Sequence, residues 1–209
     1  LYDRNTEDRD EIGARLSAER GLTLIKPYDE PQVIAGQGTV GLEIAAQAGA
    51  LGIKSADVLV CCGGGGLSSG VALALAAKAP GLKVRTVEPV GFDDVAKSLR
   101  SGKIETNDPA NRSICDAIVT PSPGHITFPI LKSLCGPGIA VPDAGCLRAM
   151  AVAFTRLKIV IEPGGAVALA AALFHPDQVQ RDTVIVVASG GNVDAGVFCH
   201  ALETYGTGE

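Results

Sequence analysis

Four consecutive glycines, at positions 63–66, stand between a short apolar run and a helical pattern. Residues 58–62 are Val-Leu-Val-Cys-Cys, which is typical of a strand buried on both faces, and Leu67, Val71 and Leu75 recur at helical spacing. Residues without a Cβ can bring backbone N–H groups close to a ligand, and the start of a helix adds unpaired donors and a positive dipole end. The junction therefore predicts a phosphate-binding loop; the alternative is a tight turn without a ligand.

The glycine loop alone leaves the kind of phosphate ligand open. A Walker loop is excluded because no lysine stands beside the glycines. A dinucleotide site stays open, since the pattern Gly63-x-Gly65-x-x-Ser68 nearly matches its fingerprint. Glu88 also ends the next predicted strand, where an acid would bind the ribose of a dinucleotide. These residues do not separate a dinucleotide from another phosphate ligand.

The composition argues against several classes of protein. Hydrophobic residues make up 46 % of the 209 residues and aromatics 4 %, so small aliphatic side chains must build the core, as is common in layered α/β proteins. A net charge of −5 without a Lys/Arg cluster argues against a nucleic-acid partner. No apolar run reaches membrane-spanning length, so no membrane partner is expected. The six cysteines form no C-x-x-C pair, which favours free thiols in a reducing, cytoplasmic compartment, and the three histidines are too scattered for a zinc site.

Alternating periodicities predict a mostly parallel sheet covered by helices on both faces. The first helix begins near Glu7 and ends at Gly21, where a glycine suits the C-terminal cap. Further helices are predicted over 29–33, 40–50, 67–78, 92–101, 127–135, 144–157, 165–174 and 193–202. Strands are predicted over 22–25, 58–62, 82–87, 114–119, 158–161 and 183–188. The 58–62 and 183–188 strands both lead into glycine-rich turns, the second being Ser189-Gly190-Gly191-Asn192, at the sheet edge where open α/β proteins bind ligands.

Five motifs along the chain occur together in one known family. They are IAGQGT at 34–39, GGGG at 63–66, VEP at 87–89, IEPGGA at 161–166 and SGGN at 189–192. With them the chain resembles the serine/threonine dehydratases and serine racemases, which are pyridoxal-phosphate enzymes of fold type II. The resemblance covers essentially the whole chain, and it implies the mostly parallel, twisted α/β sheet of a tryptophan-synthase-β-like fold in place of a dinucleotide site.

The resemblance assigns a role to each glycine-rich turn. It implies that the phosphate of pyridoxal phosphate is held by Gly63, Gly64, Gly65, Gly66 and the Leu67 amide. It implies that Ser189 bonds the pyridine nitrogen and that Glu162 lies near the ring as a structural or tuning group. A hydroxyl is a neutral partner for that nitrogen, so the ring is a weaker electron sink, which suits loss of a β-hydroxyl group.

A cation site and two substrate contacts are also implied by the resemblance. Glu88, the Phe92 carbonyl and Asp94 correspond to a family site for Mg²⁺ or Ca²⁺, and oxygen ligands suit these ions. The alternative for these acids is an ordinary solvated loop. Arg9 corresponds to an arginine near the substrate carboxylate, with a helix-surface ion pair to Glu7 or Asp10 as the alternative. Thr120 lies where the family often has a serine that contacts the substrate.

One family motif is missing from this sequence. The family's Schiff-base lysine lies in an S-F-K-x-R-G-type motif of an earlier domain, which also carries an S-x-G-N-H-type loop. Neither motif occurs here, and none of the eight lysines has that setting. We therefore expect residues 1–209 to be the larger, cofactor-binding part of such an enzyme. A lysine-bearing segment upstream would be needed, and this chain alone would be inactive.

The expected activity of the whole protein is pyridoxal phosphate-dependent dehydration of serine or threonine. This β-elimination of water gives a 2-oxo acid and ammonia. Serine racemase and hydroxyaspartate dehydratase activities are the alternatives, and a non-catalytic cofactor-binding subunit is the alternative from a different class. A small hydroxy amino acid is thus the expected substrate, and a homodimer is the usual assembly of the resembled family.

Overall fold

Four parallel strands form one sheet at the centre of the molecule. The structure is a computed structural model, which describes residue 2 and residues 7–206. In that part of the chain the strands are β1 (Ala56–Cys61), β2 (Leu82–Pro89), β3 (Ile139–Val141) and β4 (Val184–Val186), in the order β3-β2-β1-β4. Because every neighbouring pair is parallel, the carboxyl ends of all four strands lie at the same edge.

Helices cover both faces of this sheet, as predicted. The described helices are α1 (Arg9–Arg20), α2 (Pro31–Ala50), α3 (Gly66–Lys78), α4 (Asp94–Ser101), α5 (Thr127–Leu134), α6 (Asp143–Val152), α7 (Pro163–Phe174) and α8 (Ala195–Tyr205). A π-helical turn, Ala153–Leu157, extends α6. Among these residues, no helix has the length and apolar character needed to cross a bilayer.

Strand β1 separates two apolar cores. Val58 and Val60 pack with residues of α2 and α3, whereas Leu59 packs on the other face with residues of α6 and α7. All six β1 residues are buried, as expected for a central parallel strand whose side chains alternate between two covered faces. Full burial of each Val or Leu stabilises the fold by roughly 1.5–3 kcal/mol. The uninterrupted apolar run in the sequence follows from this position.

Helix α2 joins two helices that the sequence predicted separately. The motif at 34–39 lies inside this helix, although its two glycines suggested a break. The structure gives the reason: a Cβ at Gly38 would lie 3.3 Å from the Gly70 carbonyl oxygen of α3, and one at Gly41 would lie 2.8 Å from the Val71 carbonyl oxygen. These glycines therefore serve close packing of two helices rather than a turn.

Three predicted strands are wrong and one strand was missed. Segment 22–25 has no regular structure, and neither has 159–162 after Lys158, which takes a left-handed φ of 61°. Segment 114–119 holds the short 3-10 helix Asp116–Ile118 instead of a strand. Strand β3 was missed because its three residues lie between a glycine and a proline and show no periodicity. A β-branched run forms a strand only where another strand can pair with it.

Candidate functional site

The structure brings the two glycine-rich turns together at the carboxyl edge of the sheet. The 63–66 loop follows β1 and the 189–192 turn follows β4, and these two strands are hydrogen-bonded neighbours. The Val187 amide donates to the Leu59 carbonyl at 3.0 Å, and the Cys61 Sγ lies 2.9 Å from the Ser189 Oγ. A single small ligand can therefore reach both turns.

Each of the four glycines has a reason within the chain itself. A Cβ at Gly63 would lie 3.1 Å from the backbone of Ile118, and a Cβ at Gly64 would overlap the Tyr28 ring. Gly65 has a φ of 95°, which L side chains rarely adopt, and a Cβ at Gly66 would lie 2.9 Å from the Tyr28 Cα. The number of glycines alone therefore does not indicate a ligand. The support for a phosphate group comes from the geometry of the loop.

That geometry leaves the amino terminus of α3 available to an anion. Gly65 caps the helix without a side chain, so no side-chain acceptor bonds the first N–H groups, including that of Leu67. The first turn of any helix has unpaired donors and the positive end of the helix dipole. Phosphate groups bind at such positions. The glycine loop and the start of α3 therefore suit the phosphate of a cofactor.

Tyr28 and Asp29 brace the glycine loop, which the sequence did not reveal. The sequence suggested Asp29 as the cap of α2, but Glu30 takes that position and accepts from the Gln32 amide at 3.1 Å. The Asp29 carboxylate instead accepts from the amides of His125 and Ile126 before α5, at 3.1 and 2.7 Å. No local pattern could indicate this role, because the partners lie almost a hundred residues away.

Helix α5 in turn holds the carbonyl side of the loop. The Thr127 hydroxyl donates to the Gly64 carbonyl at 2.6 Å, and the Gly124 amide donates to the same oxygen at 3.1 Å. The Gly64 carbonyl therefore points towards α5. With Tyr28 packed on Gly64 and Gly66, the loop is fixed on two sides before any ligand binds.

Glu162 holds the second turn through the backbone. Its carboxylate accepts from the Asn192 amide at 3.2 Å, and its own amide donates to the Gly190 carbonyl at 3.2 Å. Gly165, in the first turn of α7, is required because a Cβ there would overlap the Ser189 carbonyl. These contacts explain how the 161–166 motif and the 189–192 turn act as one unit that sets the position of the Ser189 hydroxyl.

The two predicted cation-binding acids lie in the interior of the protein. The Glu88 carboxylate accepts from the amides of Val95 and Ala96 at 2.8 Å each, at the amino terminus of α4. Glu88 and Asp94 are both fully buried, so they are not an ordinary solvated loop. This burial also argues against the dinucleotide interpretation, in which Glu88 would bind a ribose.

Burial of these acids leaves negative charge uncompensated. Burial raises the pKa of Asp94 to about 7, and it raises the pKa of Glu88 well above its usual value, with a further increase from the Asp94 charge. In the described part of the chain, Asp94 Oδ2 has no hydrogen-bond partner. No group of three or more His, Cys, Asp or Glu is found there, and the predicted set has two carboxylates and the Phe92 carbonyl. A hard cation fits this pair of acids.

Asn107 connects this acidic pair to Thr120, and the sequence did not indicate it. Its side-chain amide nitrogen donates to Asp94 Oδ1 and, at 2.9 Å, to the Thr120 carbonyl. Asn107 is only 6 % exposed. Neither its Oδ1 nor the Thr120 Oγ1 has a partner among the residues that the structure describes. The position predicted for a substrate contact thus lies one side chain away from the position predicted for the cation.

Arg9 lies on the surface, in the first turn of α1. Its side chain is 49 % exposed, and its Nε lies 3.5 Å from Asp10 Oδ1, which is the ion pair considered as the alternative. The pKa of Tyr28 is raised mainly by burial and further by the Asp10 charge, whereas the Arg9 charge lowers it. Arg9 is therefore near the side chain that braces the glycine loop.

Comparison with known proteins agrees with this geometry. The family model described as pyridoxal-phosphate dependent enzyme matches residues 1–190. L-threo-3-hydroxyaspartate ammonia-lyase of Saccharomyces cerevisiae is 41 % identical over 195 residues, which are 92 % of this chain and 58 % of that protein. Serine racemase of Schizosaccharomyces pombe is 38 % identical over 203 residues, covering 97 % of this chain and 61 % of the racemase.

Solved structures give the same result. A bacterial threonine deaminase, from T.th., superposes with a TM-score of 0.84 and 43 % identity over 90 % of this chain and 63 % of the deaminase. Maize serine racemase superposes with a TM-score of 0.83 and 34 % identity over 97 % of this chain and 63 % of the racemase. The chain thus spans less than two thirds of the length of these relatives.

Proposed function

The chain belongs to the pyridoxal-phosphate dependent enzymes of fold type II, and we propose that it is the cofactor-binding part of a serine or threonine dehydratase. The observation that carries this proposal is the shared edge at which the glycine loop and Ser189 meet, with Cys61 Sγ 2.9 Å from Ser189 Oγ. A phosphate cradle and a neutral ring partner on adjacent strands suit one cofactor of the length of pyridoxal phosphate.

Named residues of this chain would hold the cofactor. The loop amides and the start of α3 would bind its phosphate, through Gly63, Gly64, Gly65, Gly66 and Leu67. The Ser189 hydroxyl would donate to the ring nitrogen, while Glu162 keeps the turn that carries Ser189 in place. When bound, pyridoxal phosphate supplies the electron sink that stabilises charge at the substrate α-carbon.

A small β-hydroxy amino acid is the proposed substrate. The Thr120 hydroxyl is buried without a partner in the described residues and is available to a substrate group. Arg9 would approach the substrate carboxylate only after leaving its exposed pair with Asp10, which costs little because such pairs stabilise by about 1 kcal/mol or less. The relatives named for serine, threonine and hydroxyaspartate support this substrate class, and we favour water elimination from serine or threonine.

We propose that the lysine that binds the cofactor covalently lies outside residues 1–209. Four lysines are engaged away from the glycine loop. Lys97 pairs with Asp93 and Lys103 with Glu105, while Lys132 and Lys158 donate to backbone carbonyls. None of the eight lysines lies in the sequence setting expected for the catalytic residue. The chain would then depend on a further lysine-bearing segment for activity, and a homodimer is the assembly we propose.

The decisive experiment compares the intact protein with residues 1–209 alone. The intact protein should release ammonia and a 2-oxo acid from serine or threonine, whereas a racemase would interconvert the enantiomers of serine and release little ammonia. Borohydride reduction with the cofactor, followed by peptide mapping, should label no single lysine of the 209-residue chain. One stoichiometrically labelled lysine within these residues, together with 2-oxo acid release, would contradict the assignment of the chemistry.

We also propose that Mg²⁺ or Ca²⁺ binds between Glu88, the Phe92 carbonyl and Asp94. The buried, unpartnered Asp94 Oδ2 supports this, because a buried charge is costly without a counter-charge. In this chain a cation would act through structure, since Asn107 ties Asp94 to Thr120. Location in the cytoplasm remains a prediction, in line with six free cysteines.

A further inference from the structure

Cys61 contacts the one side chain proposed to meet the cofactor ring. It is the last residue of β1, is 6 % exposed, and its Sγ lies 2.9 Å from the Ser189 Oγ. The two residues are 128 positions apart in the chain. The contact is a polar link between the ends of two neighbouring strands, directly beside the glycine loop.

Chemistry decides the direction of this hydrogen bond. Each side chain carries one proton, but a thiol sulfur is a weak acceptor, whereas a hydroxyl oxygen is a good one. The favourable arrangement has the thiol as donor and the Ser189 oxygen as acceptor. Burial raises the pKa of Cys61, as does the negative charge of Glu162, so the thiol keeps its proton. The Ser189 proton is then directed away from Cys61.

We propose that Cys61 is a positioning residue, which donates its thiol proton to Ser189 Oγ and thereby commits the Ser189 hydroxyl to donate to the ring nitrogen of the cofactor. The inference rests on the proposed function, because that function supplies the ring nitrogen as the acceptor. Without a donor at position 61 the hydroxyl would rotate freely and spend part of its time with its proton turned away from the nitrogen.

The size of the effect follows from the net contribution of one hydrogen bond. Loss of the bond should weaken cofactor binding about two- to tenfold. Replacement of Cys61 by serine keeps a donor at the same position and should restore most of the affinity. Replacement by alanine or by valine removes the donor, and valine also fills the space of the thiol, which separates loss of the bond from loss of packing.

The first experiment tests the hydrogen bond without the cofactor. Infrared difference spectra of the intact protein, wild type minus Cys61→Val, isolate the S–H stretching band of Cys61. A donating thiol should give a band at lower wavenumber than a free thiol, and Ser189→Ala should move it back. If Ser189→Ala leaves the band in place, the thiol is not donating to Ser189 and the inference is wrong.

The second experiment measures cofactor affinity and the absorption spectrum of the bound cofactor in the intact protein. Cys61→Val should weaken binding and Cys61→Ser should restore it, while Cys61→Val should add no further loss in the Ser189→Ala background. If Ser189→Ala weakens binding but Cys61→Val does not, the positioning role is wrong and the proposed function stands. If Ser189→Ala changes neither affinity nor spectrum, the proposed role of Ser189 itself fails.

Discussion

The Tyr28 ring packs directly on the Gly64 backbone, in the space that a Cβ of residue 64 would occupy. The next residue, Asp29, accepts hydrogen bonds from the amides that precede α5, and Thr127 of α5 bonds the Gly64 carbonyl. Two consecutive residues between α1 and α2 therefore brace both the loop and the helix that supports it. The loop is held in its shape by the chain, so less ordering remains for a ligand to impose.

We expect Gly64→Ala to be destabilising because of this contact with Tyr28. Overpacking of this kind costs roughly 1–3 kcal/mol of unfolding free energy. Tyr28→Ala should relieve the overlap, so the double variant should be more stable than the sum of the two single effects predicts. Urea unfolding of the four proteins measures this coupling. Strictly additive effects would show that the Tyr28 ring is not what excludes a side chain at position 64.

Two glycines of α2 should respond oppositely to replacement by alanine. Around Gly36 a Cβ would meet nothing within 4 Å, whereas at Gly41 it would lie 2.8 Å from the Ala74 Cβ. Gly36→Ala should therefore stabilise the fold by about 0.5–1 kcal/mol through helix propensity. Gly41→Ala should destabilise it because α2 and α3 must separate. Thermal unfolding of both variants provides a matched comparison, and equal effects would contradict the proposed close packing.

A buried ion pair at the opposite edge of the sheet should affect stability and leave the site alone. Arg85 of β2 lies 3.2 Å from Asp57 of β1, and both side chains are almost completely buried. Asp57→Asn would leave the Arg85 charge without its partner, at a cost of roughly 3–5 kcal/mol. Arg181, which lies 3.4 Å from Asp57 and is 35 % exposed, is the control, and Arg181→Gln should cost about 1 kcal/mol or less.

Denaturant unfolding measures both variants, and titration with pyridoxal phosphate checks the site. The intact protein should bind the cofactor equally well in either variant under native conditions. A large loss of affinity in the folded Asp57→Asn variant would show that the two edges of the sheet are coupled.

Divalent cations should raise the melting temperature of the intact protein. A ligand that binds only the native state stabilises it, by about 2.7 kcal/mol at a hundred times its dissociation constant. Asp94→Asn should remove the response to Mg²⁺ or Ca²⁺ because it removes a buried ligand charge. Asp93→Asn is the matched control, since Asp93 pairs with Lys97 at 2.8 Å and is not a proposed ligand. An unchanged melting curve in EDTA and in added Mg²⁺ would rule out the site.

The sequence by itself determined the elements whose signals are local. Strands β1, β2 and β4 were predicted because contiguous apolar runs identify strands buried on both faces. The two glycine-rich turns were predicted at their ends, and parallel topology then requires both turns to lie at one edge. For the same reason the family motifs could be assigned to Ser189 and Glu162 from the sequence.

The tertiary structure alone decided what pairs or packs across long separations in the chain. Strand β3 exists because β2 pairs with it, and segments 22–25 and 158–161 are not strands because the described chain offers them no partner strand. The contacts of Asp29 with α5 and of Cys61 with Ser189 join residues about 100 and 128 positions apart. Periodicity shows that a face will be buried, but the position of the distant segment that buries it depends on how the intervening chain folds.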